Sequence, residues 1–170
     1  MLRTRIRQTG QTHRSVPTKI ILILTVLIIA ALDQAAKYII VTKVPLYSAN
    51  EITPFFNIVY FQNIGAAFSI LKGLGNPIFI ALSIIVIIFL IILIIKEKKG
   101  LFQSLPYCLL IGGAMGNLID RLTRGYVVDF LDFHVFGYHW ASFNVADSAL
   151  SVGMVLVILM QFKGKTHSSY

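Results

Sequence analysis

Long apolar runs alternate with short polar segments along this chain. Residues 20–32 contain one polar residue, Thr25, and residues 78–95 contain one, Ser83. Runs of about 20 apolar residues are long enough to cross the hydrocarbon core of a bilayer. Two further runs are apolar but richer in small or polar residues at one end. The pattern therefore predicts four transmembrane helices, over residues 19–41, 77–95, 101–119 and 141–162.

The first run has a second interpretation, because a basic stretch followed by a short apolar core is also typical of a secretory signal peptide. A cleavable signal peptide ends in small residues that prepare the cut. Here the apolar run leads instead into Asp33, Gln34 and Lys37. We therefore expect a retained helix, with residues 1–18 as a basic cytoplasmic tail before it.

The segments between the predicted helices differ in character. Residues 42–76 place aromatic and β-branched side chains between proline, glycine and asparagine, a pattern that favours short strands. We expect this segment to form a small lobe outside the membrane, with its aromatic residues near the lipid interface. Residues 120–140 make a second outer segment, in which residues 127–135 would form a strand.

The third predicted helix is weak in hydropathy and rich in small residues, among them Gly112, Gly113 and Gly116. Small residues let helices approach closely in lipid, so we expect this helix at the centre of the bundle. The predicted fold is thus an all-α membrane protein, a four-helix transmembrane bundle with a small extramembrane β lobe on the periplasmic, outer side.

Charge favours the same topology. The formal net charge is +8, yet only 13% of the residues are charged, and the mean hydropathy is +0.79. The basic residues form no single patch, which argues against nucleic-acid binding. They cluster beside the apolar runs, in residues 1–18, 96–100 and 163–170. Because Lys and Arg favour the cytoplasmic side, we expect both termini and the 96–100 loop in the cytoplasm and both lobes outside.

Acidic residues concentrate at one face of the predicted bundle. Five of the seven fall at outer helix ends or in the outer segment after the third helix: Asp33, Asp120, Asp129, Asp132 and Asp147. An ionisable group at membrane depth is costly unless it is paired. Such residues are therefore candidates for a functional site.

Helical spacing groups these acids with polar partners. Residues three or four apart share a helix face, and this holds for Asp33 with Lys37, Asn117 with Asp120, and Asn144 with Asp147. Each group also has a structural interpretation. Asp33 with Lys37, and Asp120 with Arg121, would make ion pairs, and the asparagines would hydrogen-bond neighbouring helices.

Two neighbouring aspartates would support a definite chemistry. They share a proton because both cannot ionise cheaply, so one can activate water while the other polarises a peptide carbonyl. Asp129 and Asp147 are the candidate pair, and Asp132 should face away from Asp129 along a strand. Spacing alone does not separate this pair from Asp132 and Asp120, or from a purely structural role.

The sequence lacks the residues that other catalytic or metal-binding sites would need. The only cysteine, Cys108, lies inside an apolar run, and the four histidines lack the paired spacing of zinc enzymes. The chain also has no G-x-S-x-G motif of a serine hydrolase. We expect neither a metal nor a cofactor.

Five short blocks spread over nearly the whole chain carry a resemblance to a known family. They are DQAAK at 33–37, NIGAAFS at 63–69, GGAMGNLIDR at 112–121, GYVVDF at 125–130 and FNVADS at 143–148. In this order and spacing, the blocks resemble bacterial lipoprotein signal peptidases, the signal peptidase II family.

The resemblance implies an aspartic endopeptidase of the bacterial inner membrane, with Asp129 and Asp147 as its catalytic pair. We expect the enzyme to be a monomer. Its substrates would be prolipoproteins with a lipobox, cut before a cysteine that carries diacylglycerol. In this family the first lobe forms a small sheet resting on the membrane. The same resemblance implies that eight residues line or support the site: Asp33, Lys37, Asn63, Gly65, Asn117, Asp120, Arg121 and Asn144.

Two other classes of function are alternatives to a protease. A small proton-coupled transporter or channel subunit could use Asp33, Asp129 and Asp147 as a relay. A transporter should place its acids near the bilayer midplane and often has an internal repeat, whereas here the acids lie at one interface and no repeat appears. A non-catalytic assembly subunit would leave the five interfacial acids without a purpose.

Overall fold

The structure is a computed structural model that describes residues 16–65, 75–96 and 100–166. Over these residues the chain is mostly helical, with one small antiparallel sheet. The helices are α1 (Val16–Lys43), α2 (Gly75–Lys96), α3 (Leu101–Thr123) and α4 (Val145–Thr166). The strands are β1 (Ala49–Thr53), β2 (Phe56–Asn63), β3 (Val127–Val135) and β4 (Tyr138–His139). Most of the predicted basic tail, residues 66–69 of the second block, and parts of the two other basic clusters lie outside the described residues.

Three of the described helices are long and apolar enough to cross a membrane, namely Thr18–Lys43, Gly75–Lys96 and Val145–Phe162. Large aliphatic side chains cover their outer faces, for example Leu27 and Ile85, which are 53% and 62% exposed. Exposure of such apolar faces to water is unfavourable, whereas the hydrocarbon core of a bilayer accommodates them. A helix also satisfies its own backbone hydrogen-bonding groups there. The fourth helix, α3, is not among these candidate spans.

Helix α3 lies at the centre of the fold and contacts α1, α2 and α4. Its glycines permit this packing. A Cβ on Gly113 would lie 2.5 Å from the backbone oxygen of Ala146 in α4, and one on Gly112 would lie 2.8 Å from Ile29 Cβ in α1. The sequence-based expectation of a glycine-rich central helix is thus confirmed. The burial of α3 also explains its modest hydropathy, because lipid-facing positions are few.

The two outer segments form a single sheet rather than separate lobes. The strand order is β1-β2-β3-β4, and every neighbouring pair is antiparallel. Strand β3 has the bounds predicted from the sequence, and β2 pairs with it so that Asn63 lies opposite Val127 and Phe61 opposite Asp129. An irregularity in this register falls between Ile58 and Phe61. The sheet thereby brings the 42–76 segment to the strand that carries Asp129.

Strand β3 is also joined to the start of α4. Phe143 pairs with Leu131 through two backbone hydrogen bonds of 3.0 and 2.8 Å, and its oxygen also accepts one from Phe130 N at 3.0 Å. These bonds fix residues 143–147 beside the first half of β3. The ends of α1, α3 and α4 that carry the acidic blocks therefore meet the sheet at one place.

Candidate active site

Asn144 caps the first turn of α4. Asn144 Oδ1 accepts a hydrogen bond from Asp147 N (2.9 Å), and Asp147 Oδ2 accepts one from Asn144 N (3.3 Å). This reciprocal pattern is a capping box with asparagine as the N-cap and aspartate three residues later. The Asp147 carboxylate is thus held at the positive end of the helix dipole. Asn144 and Asp147, which were grouped by their spacing in the sequence, therefore form a helix cap that fixes Asp147 in place.

The side-chain amide of Asn144 also reaches Asp129. Asn144 Nδ2 donates to Asp129 Oδ1 at 2.8 Å, with longer contacts of 3.3 Å to Val128 O and Asn117 Oδ1. Asn144 is fully buried and Asp129 is only 3% exposed. A single side chain therefore contacts both candidate aspartates and sets their relative position across β3 and α4.

Asn63 supplies the second donor to Asp129. Asn63 Nδ2 donates to Asp129 Oδ2 at 2.9 Å, and Asn63 Oδ1 accepts a hydrogen bond from Gly65 N at 2.8 Å. Gly65 has a φ of 93°, and a Cβ there would overlap the ring of Phe79. Only glycine fits this turn without strain. The NIG sequence at 63–65 thus orients the Asn63 amide toward Asp129.

The environment of Asp129 favours its protonated form. Burial, and to a smaller extent the charge of Asp147, raise the pKa of Asp129 to about 6. Hydrogen bonds from Asn63 and Asn144 and the charge of Lys37 act in the opposite direction and limit the rise in the pKa. Such a perturbed carboxyl next to a second carboxyl is characteristic of general acid–base sites.

Asn117 links Asp147 to a buried cation. Asn117 Nδ2 donates to Asp147 Oδ1 at 2.8 Å, while Asn117 Oδ1 accepts from Lys37 Nζ at 2.9 Å. The ammonium of lysine can only donate, so it determines which end of the Asn117 amide faces Asp147. Asp147 therefore receives a fixed N–H donor from α3.

Lys37 is the centre of a buried ion cluster. Its Nζ lies 2.8 Å from Asp33 Oδ2 and 3.0 Å from Asp120 Oδ2, and all three side chains are fully buried. Asp33 Oδ1 accepts from Ala146 N in α4 (2.9 Å), and Asp120 Oδ2 accepts from Val128 N in β3 (3.0 Å). The cluster thus joins α1, α3, α4 and β3 at the site.

The ion pair expected between Asp120 and Arg121 is replaced by other contacts. Asp120 pairs with Lys37 and Arg124. Adjacent residues on a helix point in different directions, whereas Arg124 lies one turn away on the same face as Asp120. Arg121 instead lies over the ring of Phe79, with its Cζ 5.2 Å from the ring centre, and within electrostatic reach of Asp129 and Asp147.

Two residues at the site were not among the sequence candidates. Gln34 Nε2 donates to Gly116 O (3.0 Å) and to Asp120 Oδ1 (3.2 Å), while Gln34 Oε1 accepts from Arg124 Nη1 (3.2 Å). Gln34 and Arg124 therefore cover the Asp120 side of the ion cluster. Two features of the sequence could have indicated these residues. Gln34 is adjacent to Asp33, and Arg124 follows Asp120 by four residues, which places both on one helix face.

Asp132 belongs to a different set of contacts. It accepts a hydrogen bond from Asn57 Nδ2 (2.8 Å) and lies 3.0 Å from His139 Nδ1. Neither partner contacts Asp129, as the alternation of side chains along β3 predicts. The structure therefore brings Asp129 and Asp147 together through Asn144 and leaves Asp132 outside that group.

The chain is similar in sequence and in fold to known proteins over most of its length. Lipoprotein signal peptidases of Alteromonas mediterranea and Thermodesulfovibrio yellowstonii are 42% and 40% identical to it, over 78% and 82% of this chain and 75% and 93% of their own. One from Francisella tularensis subsp. novicida is 46% identical over 80% of this chain and 87% of its own. A bacterial membrane enzyme solved by the in meso method superposes with a TM-score of 0.79 at 39% identity, covering 86% of this chain and 90% of that one.

A family comparison agrees with these relatives. The family described as Signal peptidase (SPase) II matches residues 25–163, which include both candidate aspartates and all eight supporting residues. The similarity to these relatives and to this family does not support the transporter hypothesis. The chain belongs to the signal peptidase II family of aspartic proteases.

Proposed function

We propose that this enzyme removes the signal peptide from prolipoproteins, with Asp129 and Asp147 as its catalytic pair. The cut would fall after a lipobox and before a cysteine modified with diacylglycerol. The observation that carries the proposal is the Asn144 bridge, which contacts the carboxyl groups of both aspartates at the start of α4. Asp33 and Asp120 pair with the cation of Lys37, whereas Asp129 and Asp147 accept hydrogen bonds from the amides of three asparagines, Asn63, Asn117 and Asn144.

The two aspartates are assigned different roles because their surroundings differ. Burial raises the pKa of Asp129 to about 6, so Asp129 is more readily protonated than an ordinary aspartate and would act as the acid. Asp147 lies in the first turn of α4, where its carboxyl group accepts hydrogen bonds from Asn117 Nδ2 and Asn144 N. Asp147 would therefore act as the base. A carboxyl has about four lone-pair positions, so the amide donors leave room for the shared proton.

The proposed reaction balances without a covalent intermediate. Asp147 takes a proton from water as the water oxygen attacks the carbonyl carbon of the scissile peptide. Asp129 gives its proton to the carbonyl oxygen, which yields a neutral tetrahedral diol. When the C–N bond breaks, the proton held by Asp147 passes to the leaving nitrogen, and a diol hydroxyl returns its proton to Asp129.

The position of the site suits a membrane-anchored substrate. Asp147 lies in the first turn of a candidate span, and Asp33 and Lys37 lie toward the C-terminal end of another. We place α3 across the membrane as a fourth span and the sheet on the outer side, with the basic clusters in the cytoplasm. The pair would then stand at the outer interface, where a signal-peptide helix ends and a lipid-modified cysteine begins. We propose that the enzyme acts there as a monomer.

Substitution of each aspartate by asparagine tests the proposal. Purified Asp129→Asn and Asp147→Asn variants should each lose about 10³-fold or more of the rate of cleavage of a lipidated prolipoprotein. Asp132→Asn is the matched control, since Asp132 lies on the same strand but contacts Asn57 and His139. Substantial cleavage by either of the first two variants would reject the pair. Equal cleavage of the unlipidated precursor would reject the substrate class.

A further inference from the structure

The β3–β4 connection is a tight hairpin with aromatic side chains at its tip. His134 pairs with His139 and Val135 with Tyr138, and Trp140 N donates to Phe133 O at 2.8 Å. We refer to residues 133–140 as the aromatic hairpin. Three of its aromatic side chains, those of Phe136, Tyr138 and Trp140, are 97%, 84% and 74% exposed, so they pack little against the described residues.

The backbone at the tip is unusual for the residue it holds. The two turn residues, Phe136 and Gly137, have φ values of 50° and 81°. Two-residue hairpin turns of this type favour asparagine, aspartate or glycine, and a bulky side chain at positive φ is strained. At 97% exposure, Phe136 gains little from packing against the described residues that would offset this strain.

The base of the aromatic hairpin is held firmly. His139 Nδ1 lies 3.0 Å from Asp132 Oδ2, which also accepts a hydrogen bond from Asn57. The rings of His134 and His139 stack with their centres 4.8 Å apart. The exposed tip is thus a defined projection of the sheet rather than a loose end.

The chemistry of the tip points to lipid as its partner. Residues 133–146 contain no Lys, Arg, Asp or Glu. Trp and Tyr prefer the boundary between headgroups and acyl chains, where one end of the ring is apolar and the other wet. The same segment runs directly into α4, a candidate span that begins at Val145, and Phe143 is bonded to Leu131 at the base of the aromatic hairpin.

We propose that the aromatic hairpin inserts its tip into the headgroup–acyl boundary of the outer leaflet and anchors the sheet there. The inference rests on the proposed placement of α4 across the bilayer. Asp129 lies nearer the other end of the same strand, so the anchor would fix the depth of the site at which the lipid-modified cysteine arrives.

Trp140 is the only tryptophan in the chain, so its fluorescence reports this contact directly. The full-length enzyme is reconstituted in phosphatidylcholine–phosphatidylglycerol vesicles, with and without bromine on acyl carbons near the glycerol. Emission should move to shorter wavelength on reconstitution and fall by about half or more in the brominated bilayer. Phe136→Ser/Tyr138→Ser should weaken this quenching at least about twofold, because two of the three inserted rings are removed.

The control is Phe102→Ser, which removes another side chain that is 80% exposed, near the start of α3. It should leave the quenching of Trp140 unchanged. Unquenched Trp140, or quenching unaffected by the double-serine variant, would overturn the anchor. So would a blue shift without bromine quenching that depends on protein concentration, which would identify a second copy as the partner. Because fluorescence is independent of cleavage, a failed anchor leaves the Asp129→Asn and Asp147→Asn tests intact.

Discussion

Lys37 orients the amide of Asn117 by donating to its Oδ1 at 2.9 Å, which leaves Asn117 Nδ2 to donate to Asp147 at 2.8 Å. A buried ammonium on α1 thus acts on the proposed base through one intervening side chain. The same ammonium balances Asp33 and Asp120. The ion cluster and the aspartate pair therefore form one connected network, in which Asn117 is the link.

Removal of that link should slow the reaction more than it weakens substrate binding. In Asn117→Leu, Asp147 loses an N–H donor and Lys37 loses an acceptor, while the number and branching of the side-chain heavy atoms are kept. We expect kcat to fall by about 10²-fold with a smaller change in KM, since the role of Asn117 is to orient the base.

A matched control for this experiment is Ser83→Ala on α2, because Ser83 donates to the backbone oxygen of Phe79 within its own helix and has no bond to the site among the described residues. It should cleave at the wild-type rate. An Asn117→Leu enzyme with unchanged kcat would contradict the orienting role.

The raised pKa of Asp129 predicts a pH dependence with a definite sign. If Asp129 must be protonated, the active fraction falls as pH rises through about 6, so the rate should have an alkaline limb there. The hydrogen bond from Asn63 lowers the pKa of Asp129. Asn63→Leu should therefore move the alkaline limb to higher pH, whatever it does to the maximal rate.

The check is the pH profile of kcat/KM for the lipidated substrate, whose midpoints belong to the coupled pair. Gln62→Leu is the neighbouring control, since the Gln62 amide donates to Tyr60 instead (3.4 Å). Its alkaline limb should match that of the wild type. A limb that stays in place or moves to lower pH in Asn63→Leu would contradict the role of Asp129 as the acid.

Local features of this site were predictable from the sequence, because they depend on spacing along one element. The strand over residues 127–135 has the predicted bounds, and Asn144 and Asp147, which were grouped by their spacing, form a helix cap. Glycines in the third helix correctly indicated close packing at the centre. In each case the periodicity of a single helix or strand carries the information.

Contacts between elements were not predictable in the same way. The bond from Asn63 to Asp129 depends on the pairing of β2 with β3 across an irregular register, which no local pattern specifies. The choice of Lys37 rather than Arg121 as the partner of Asp120 depends on how α1 packs on α3. Spacing therefore identified the set of acids, and tertiary packing divided that set into a cation-bound cluster and an amide-bound pair.

The buried ammonium of Lys37 should be essential for stability. Lys37→Met would leave Asp33 and Asp120 without their shared cation, and breaking a buried pair by removing one partner costs about 3–5 kcal/mol. We expect a clear fall in the unfolding temperature in detergent micelles. The double variant Asp33→Asn/Lys37→Met should recover part of the loss, because one uncompensated charge is removed as well. A Lys37→Met enzyme as stable as the wild type would contradict this account of the cluster.

Gly116 of helix α3 should tolerate a side chain poorly. A Cβ there would lie 2.5 Å from Asp33 Oδ2 and 3.2 Å from Ala146 Cβ, so Gly116→Ala must displace the carboxylate that holds Ala146 N and Lys37. We expect a loss of about 1–3 kcal/mol in the free energy of unfolding, typical of overpacking, together with reduced cleavage.

The comparison is Gly100→Ala at the start of α3, where nothing lies within 4 Å of the added atom. That variant should stay within about 0.5 kcal/mol of the wild type. The check is the thermal unfolding of both purified variants, followed by their rates of cleavage of the lipidated substrate. Equal losses in the two variants would mean that the effect comes from glycine's backbone freedom and not from crowding of Asp33, because only Gly116 has a carboxylate in the path of the new methyl group.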